Sequence, residues 1–212
     1  SCDASLFILK ISDVSQTICK VYDIDGNRDL IRSFGWNKEK DTFVSDLDEY
    51  NRNSLIDGVC AFEWRQGVKH DCSKVMQLSK KGEEYTNGLH QSVELEDEFV
   101  YPLLKSSDIK NTIIQNSRKY VIITQKRVGE DTTILQNTAP KIWEYLVENA
   151  NYLDNRKSSI YKKSPRFSIF GIGDYSFEPY KVCISGFYKE PKFSLAYRDD
   201  LKPIMLDDTC YF

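Results

Sequence analysis

The apolar residues of this 212-residue chain come in short runs, and that pattern limits what it can fold into. Leu6–Ser12, Thr17–Tyr22, Val59–Trp64, Lys74–Leu78, Lys119–Gln125, Tyr180–Gly186, Phe193–Tyr197 and Pro203–Leu206 alternate or are rich in β-branched and aromatic side chains, and each predicts a strand. Asp25-Gly26 and Lys81-Gly82 are turn signals between such runs. One stretch has helical spacing: APKIWEYLVENANYL, residues 139–153, puts Ile142, Tyr145, Leu146 and Asn149 on one face. Thr138 is placed to cap it and Pro140 suits its first turn. A second helix over Glu39–Asn51 is weakened by the β-prone Asp41-Thr42-Phe43-Val44. The class expected is α+β, strand-rich, with a few covering helices. The 13 Tyr and 11 Phe agree with a large sheet content.

Charge is unevenly placed. The net charge is −3, yet residues 118–166 hold ten Lys/Arg against five Asp/Glu, whereas residues 1–50 hold six against ten. The concentration peaks in NRKSSIYKKSPRF, residues 155–167, which has five cations, three serines, one tyrosine and no acid. A chain polarised in this way can present a cationic face to a polyanion while staying acidic overall. An isolated charge run is more often a solvated loop, so its neighbours have to decide.

Motifs for catalysis are missing. No P-loop, HExxH or GxSxG pattern occurs, no Pro-Pro pair exists, and the two histidines, His70 and His90, accompany no nucleophile motif. No catalytic residue is therefore assigned. IFGIGDYSF, residues 169–177, imitates a nucleotide loop but lacks the third glycine and a following helix. Gly171 and Gly173 instead suit tight backbone geometry or the close approach of a ligand. The six cysteines form no CxxC pair, and several sit in apolar runs. They read as reduced, buried thiols of a cytoplasmic protein. Cys60, His70 and Cys72 lack the spacing and fourth ligand of a zinc site, so no metal is expected. No apolar stretch is long enough to span a bilayer.

Four stretches combine cations, hydroxyls and glycine. They are Arg65, Gln66, Lys69, His70 and Lys74; Lys105, Ser106 and Ser107; Lys126 and Arg127; and Arg156, Lys157, Ser158, Tyr161, Lys162, Lys163 and Arg166. Lysine and arginine supply charge to phosphates, and serine, glutamine and backbone N–H groups supply hydrogen bonds. Arg65 or Gln66 can also read a base edge. Tyr161 suits either packing along a sugar or an ordinary core position, and Trp64 and Trp143 read as core residues.

Taken in order, WRQGVKHDCSKVMQL, EFVYPLLKSSDI, the long segment from APKIWEYLVENANYL to KVCISGFYK, and KPIMLDDTCYF resemble the C-terminal target-recognition region of bacterial adenine-specific DNA methyltransferases. The group resembled is the TaqI-like one of restriction-modification systems. Gly67–Met76 and Pro102–Lys105 match two segments of that specificity region, and the likeness runs from DASLFIL to the last residue. The family's Asn/Asp-Pro-Pro-Tyr/Phe tetrad and F-x-G-x-G loop do not occur in this chain. The resemblance therefore implies that residues 1–212 are a DNA target-recognition domain fragment, with room for a subdivision near 105–118 and without the catalytic methyltransferase domain. It implies duplex DNA as partner and no cofactor in this fragment. S-adenosylmethionine belongs to an upstream catalytic domain of the parent, and a restriction endonuclease subunit is a further candidate partner. The abrupt start near LFILKI and the end on Tyr211-Phe212 fit a fragment. The rival reading is a protein-interaction module that docks on a restriction or methylase subunit.

Overall fold

A computed structural model of the chain describes residues 17–24, 27–187 and 191–212, together with Leu6, Ile8 and Asp13. The expected strand Leu6–Ser12 and the Asp25-Gly26 turn lie outside the described residues, wholly or in their greater part. The chain divides into two compact units, residues 1–62 and residues 63–212, and the stretch 105–118 lies within the second. Among the described residues there are thirteen strands in three sheets and a few short helices, an α+β, strand-rich fold.

The first unit is an antiparallel meander of β1 (Ile18–Tyr22), β2 (Leu30–Asn37) and β3 (Thr42–Val44), followed by helix α1 (Leu47–Asn53). The helix starts later than the expected Glu39 because Thr42–Val44 pairs with Gly35–Asn37, as its β-branched residues favour. Asp46 then caps it, accepting from the Glu49 N–H at 2.9 Å.

The boundary between the units falls within Val59–Trp64, which is not a strand. Val59 and Phe62 are fully or largely exposed and pair with no strand among the described residues. Apolar composition alone does not make a strand without an edge to join. Helix α2 (Ser73–Met76) leads into β4 (Gln77–Lys81), so the expected strand from Lys74 starts three residues later. β4 and β5 (Glu84–Asn87) form a hairpin whose two-residue turn has Gly82 at φ +63, the conformation glycine tolerates best. β6 (Ser92–Val93), β7 (Val100–Leu104), β8 (Ile113–Ile114) and β9 (Lys119–Ile122) follow. After the helices α3 (Leu135–Thr138), α4 (Pro140–Glu148) and α5 (Ala150–Asp154) come β10 (Lys181–Ser185), β11 (Phe193–Ala196), β12 (Met205–Leu206) and β13 (Cys210–Tyr211). One sheet has the order β12-β7-β9-β4-β5-β6, and the other β13-β10-β11-β8.

The main core lies between the six-stranded sheet and α3–α4. Val75, Met76, Leu78, Val121 and Ile122 meet Leu135, Ile142, Tyr145 and Leu146, all almost fully buried. The helical face read from the sequence is the one buried. Tyr145 donates its hydroxyl proton to the Val75 carbonyl at 2.9 Å and accepts from Asn87 Nδ2 at 3.1 Å. Thr138 does not cap α4. Its hydroxyl donates back to Ile134 O. The free N–H groups of Lys141 and Ile142 instead donate to the Glu96 carboxylate, brought from the loop before β7, at 2.8 and 2.9 Å. A smaller core of Leu104, Ile109, Ile114, Cys183, Ala196, Ile204, Leu206 and Cys210 lies under one face of the four-stranded sheet. Trp143 is packed against the main core, edge-on to Phe167, but Trp64 is half exposed and stacks on Phe193.

Candidate nucleic-acid interface

The segment Arg65–His70 is held between two others. On one side Arg65 exchanges backbone hydrogen bonds with Phe212 at 2.7 and 2.9 Å, Gly67 N–H donates to Cys210 O at 3.1 Å, and Val68 N–H donates to Leu206 O at 2.6 Å. On the other side Lys69 exchanges a pair with Phe170 at 2.8 and 2.9 Å. The glycines make this fit possible. A Cβ on Gly67 would stand 2.3 Å from the carbonyl oxygens of both Leu206 and Asp207, and one on Gly171, at φ +64, would stand 2.2 Å from Gly67 O. The close approach expected at Gly171 is thus that of another piece of backbone.

This tie brings several candidate residues onto the Asp207-Asp208-Thr209 turn. Gln66 Nε2 donates to Asp208 O at 2.7 Å. Lys69 lies between Asp71 (2.8 Å) and Asp208 (3.2 Å), and these carboxylates, Asp71 first, raise its pKa. Lys105 Nζ is 3.8 Å from Asp207 Oδ2. Ser106 Oγ donates to Thr209 O at 2.7 Å and meets Ser185 Oγ at 2.7 Å. Ser107, beside it, is exposed. In the sequence this turn stands apart from the cationic stretches. Its Asp-Asp-Thr is a turn signature whose significance depends on which distant lysines reach it.

Three candidates are structural. His70 is buried: Nδ1 accepts the Cys72 N–H at 3.0 Å, and Nε2 lies 2.9 Å from the Gln77 carboxamide nitrogen, which reaches Asp207 at 3.4 Å. Burial pushes its pKa down to about 4, so the ring is neutral and faces inward. Arg156 is likewise buried. It donates to three carbonyls, of Leu153 (2.8 Å), His70 (3.2 Å) and Ser168 (2.8 Å), and its guanidinium lies 3.6 Å from the Tyr161 ring centroid. Tyr161 is 8% exposed, edge-on to Phe170 at 5.3 Å, and takes the core position that was one of its two sequence readings. Neither Arg156 nor His70 reaches a phosphate from there. The charge of Arg156 and the hydrogen bonds of both are spent within the fold.

The remaining candidates point outward. Lys157, Lys162, Lys163, Lys74 and Lys126 are exposed, and none has a side-chain partner among the described residues. Tyr161 anchors the 3-10 turn Ser159–Lys163 so that the two lysines after it face water. Ser158 is half-buried. Arg127 forms a two-pronged pair with Asp174 (3.0 and 2.7 Å), and Arg166 forms one with Asp154 (3.2 and 2.7 Å). Arg65 pairs with Glu63 and lies 5.1 Å from the Tyr175 ring, so Arg65 and Arg127 flank the Asp174-Tyr175 turn. Exposed pairs of this kind add little to stability, so an arginine can leave such a partner for another anion at little cost.

Among the described residues no group of three or more His, Cys, Asp or Glu could hold a metal ion. Cys72, Cys183 and Cys210 are buried, whereas Cys60 is exposed. No helix among the described residues is long and apolar enough to cross a membrane.

No family model matches the chain. A curated relative, the Type II methyltransferase M.NspV of Nostoc sp. (strain ATCC 29411 / PCC 7524), is 38% identical over 212 residues, 99% of this chain. The chain spans 44% of that relative's length, and nearly all of it is similar to part of a Type II methyltransferase.

Proposed function

We propose that this chain is the target-recognition part of an adenine-specific DNA methyltransferase of a restriction-modification system. In this reading it grips duplex DNA while a catalytic domain of the same protein, with S-adenosylmethionine, methylates the target base. The observation that carries the reading is the similarity, along 99% of this chain, to part of a Type II methyltransferase. The sorting of cations supports it. Lys69, Lys105 and Arg156 are tied into the fold, which leaves Lys157, Lys162, Lys163, Lys74 and Lys126 free to meet phosphates. Arg65 and Arg127, forks with weakly held partners, are assigned to base edges or adjacent phosphates, with Ser107 as a neutral donor. An upstream catalytic domain and a restriction endonuclease are the protein partners of this reading, and the cytoplasm is its compartment.

The test is fluorescence anisotropy with short duplexes. Wild-type chain is expected to bind duplex DNA at low salt. In the full-length enzyme Arg65→Ala is expected to relax choice between cognate and non-cognate sites by about 1–3 kcal/mol, whereas Lys162→Ala with Lys163→Ala weakens both alike. Equal loss on both sites for Arg65→Ala removes its reading role.

A further inference from the structure

The four-stranded sheet carries apolar side chains on both faces. Alternation along β10, β11, β8 and β13 sends Cys183, Ala196, Ile114 and Cys210 into the smaller core. The register then aligns two rows on the opposite face: Val182 beside Leu195 beside Ile113, and Tyr211 beside Ile184 beside Phe193. Trp64 extends the second row, stacked on Phe193 with ring centroids 5.8 Å apart. Trp64, Ile113, Val182, Phe193 and Tyr211 are each about half exposed. Together they present roughly 500 Å² of apolar surface, in the upper part of the range of the largest patch on a typical monomer. A mainly antiparallel sheet with one open face ordinarily carries polar residues there, and in this one, where only β8 and β11 run parallel, the Tyr211 hydroxyl is the sole side-chain polar group that the strands supply to either row.

We infer that this face is the seat of the catalytic part of the same polypeptide, an inference that rests on the function proposed above. The chemistry of the face selects the occupant. It has no cation in either row, so it does not suit phosphates. A partner that comes and goes would leave the patch in water each time it left, whereas permanent contacts are the more hydrophobic kind. More than half of M.NspV lies outside the match, room for at least one further domain. The patch, counted on both sides, gives about 1,000 Å², within the usual span for domains joined in one chain.

Hydroxyl-radical footprinting tests this without any substitution. Oxidation of Trp64, Phe193 and Tyr211 is measured in the 212-residue chain and in the full-length polypeptide, normalised to an added reporter peptide, at several concentrations, with and without duplex DNA. The expected result is at least a fivefold slowing at all three residues in the full-length polypeptide, independent of concentration and of DNA. Equal rates in the two proteins overturn the inference. So does protection that grows with concentration in the 212-residue chain, which makes a second copy the occupant, or protection that needs DNA. Duplex binding measured on the same samples separates the two claims: protection without duplex binding removes the recognition role and leaves the docking face, and binding without protection does the reverse.

Discussion

Replacing Gly67 by alanine tests the backbone tie on which the candidate interface is built. The added methyl would sit 2.3 Å from two carbonyl oxygens, and the nearest atoms are all backbone, so no side chain can swing aside. Relief needs a shift of the 65–69 segment by something near an ångström. That shift puts the Gly67-to-Cys210, Val68-to-Leu206 and Asp208-to-Val68 hydrogen bonds at risk, now 3.1, 2.6 and 3.1 Å long. At about 1 kcal/mol for each bond, the loss is roughly 2–3 kcal/mol. For a unit of this size each kcal/mol moves the melting temperature by about 2–4 °C, so a fall of roughly 4–12 °C is expected for residues 63–212. Calorimetry measures it, with Gly58→Ala, whose Cβ would meet nothing within 4 Å, as the control expected to change little. Duplex affinity should fall along with it, since Arg65 loses its placement. A Gly67→Ala protein that melts within a degree of wild type refutes the tie.

Other substitutions separate structural from exposed charge. Arg156→Ala should cost about 2–4 kcal/mol, because three buried carbonyls lose their donor, and urea unfolding will show it; Lys162→Ala with Lys163→Ala should leave the same curve unchanged. Glu96→Ala uncovers the first N–H groups of α4 and should cost about 1 kcal/mol in the same assay. His70 has a folded pKa near 4 against an ordinary 6.5, so between those values the unfolded chain binds the extra proton and stability rises with pH. Acidifying from pH 7 to pH 4 should remove roughly 3 kcal/mol through this group, a slope that His70→Gln should flatten in denaturant titrations.

Where the sequence pattern was periodic and local, the fold could be read from it. The buried face of α4, the Lys81-Gly82 hairpin and strands β1, β9, β10 and β11 all follow from side-chain spacing and turn chemistry. What failed depended on partners far along the chain. Val59–Trp64 looks like a strand but joins no edge among the described residues, and the cap of α4 comes from Glu96 rather than from the adjacent Thr138. The candidate site divides in the same way. NRKSSIYKKSPRF is visibly cationic, yet nothing in its composition says that Arg156 turns inward to the His70 and Ser168 carbonyls while Lys162 and Lys163 turn out. Nor does it reveal that Asp207 and Asp208, forty residues and more beyond the strip's end, take up Lys105 and Lys69. Charge counts show how many cations a chain has; three-dimensional pairing decides how many are left for a ligand.

The salt dependence of duplex binding tests the central claim most directly. If Lys74, Lys126, Lys157, Lys162 and Lys163 all meet phosphates, the log–log slope of affinity against salt should be about −4 to −5. Replacing Lys157, Lys162 and Lys163 by alanine should bring it to about −2, with the melting temperature unchanged. A slope that the triple substitution leaves unaltered, or an affinity that salt does not weaken, would contradict the account.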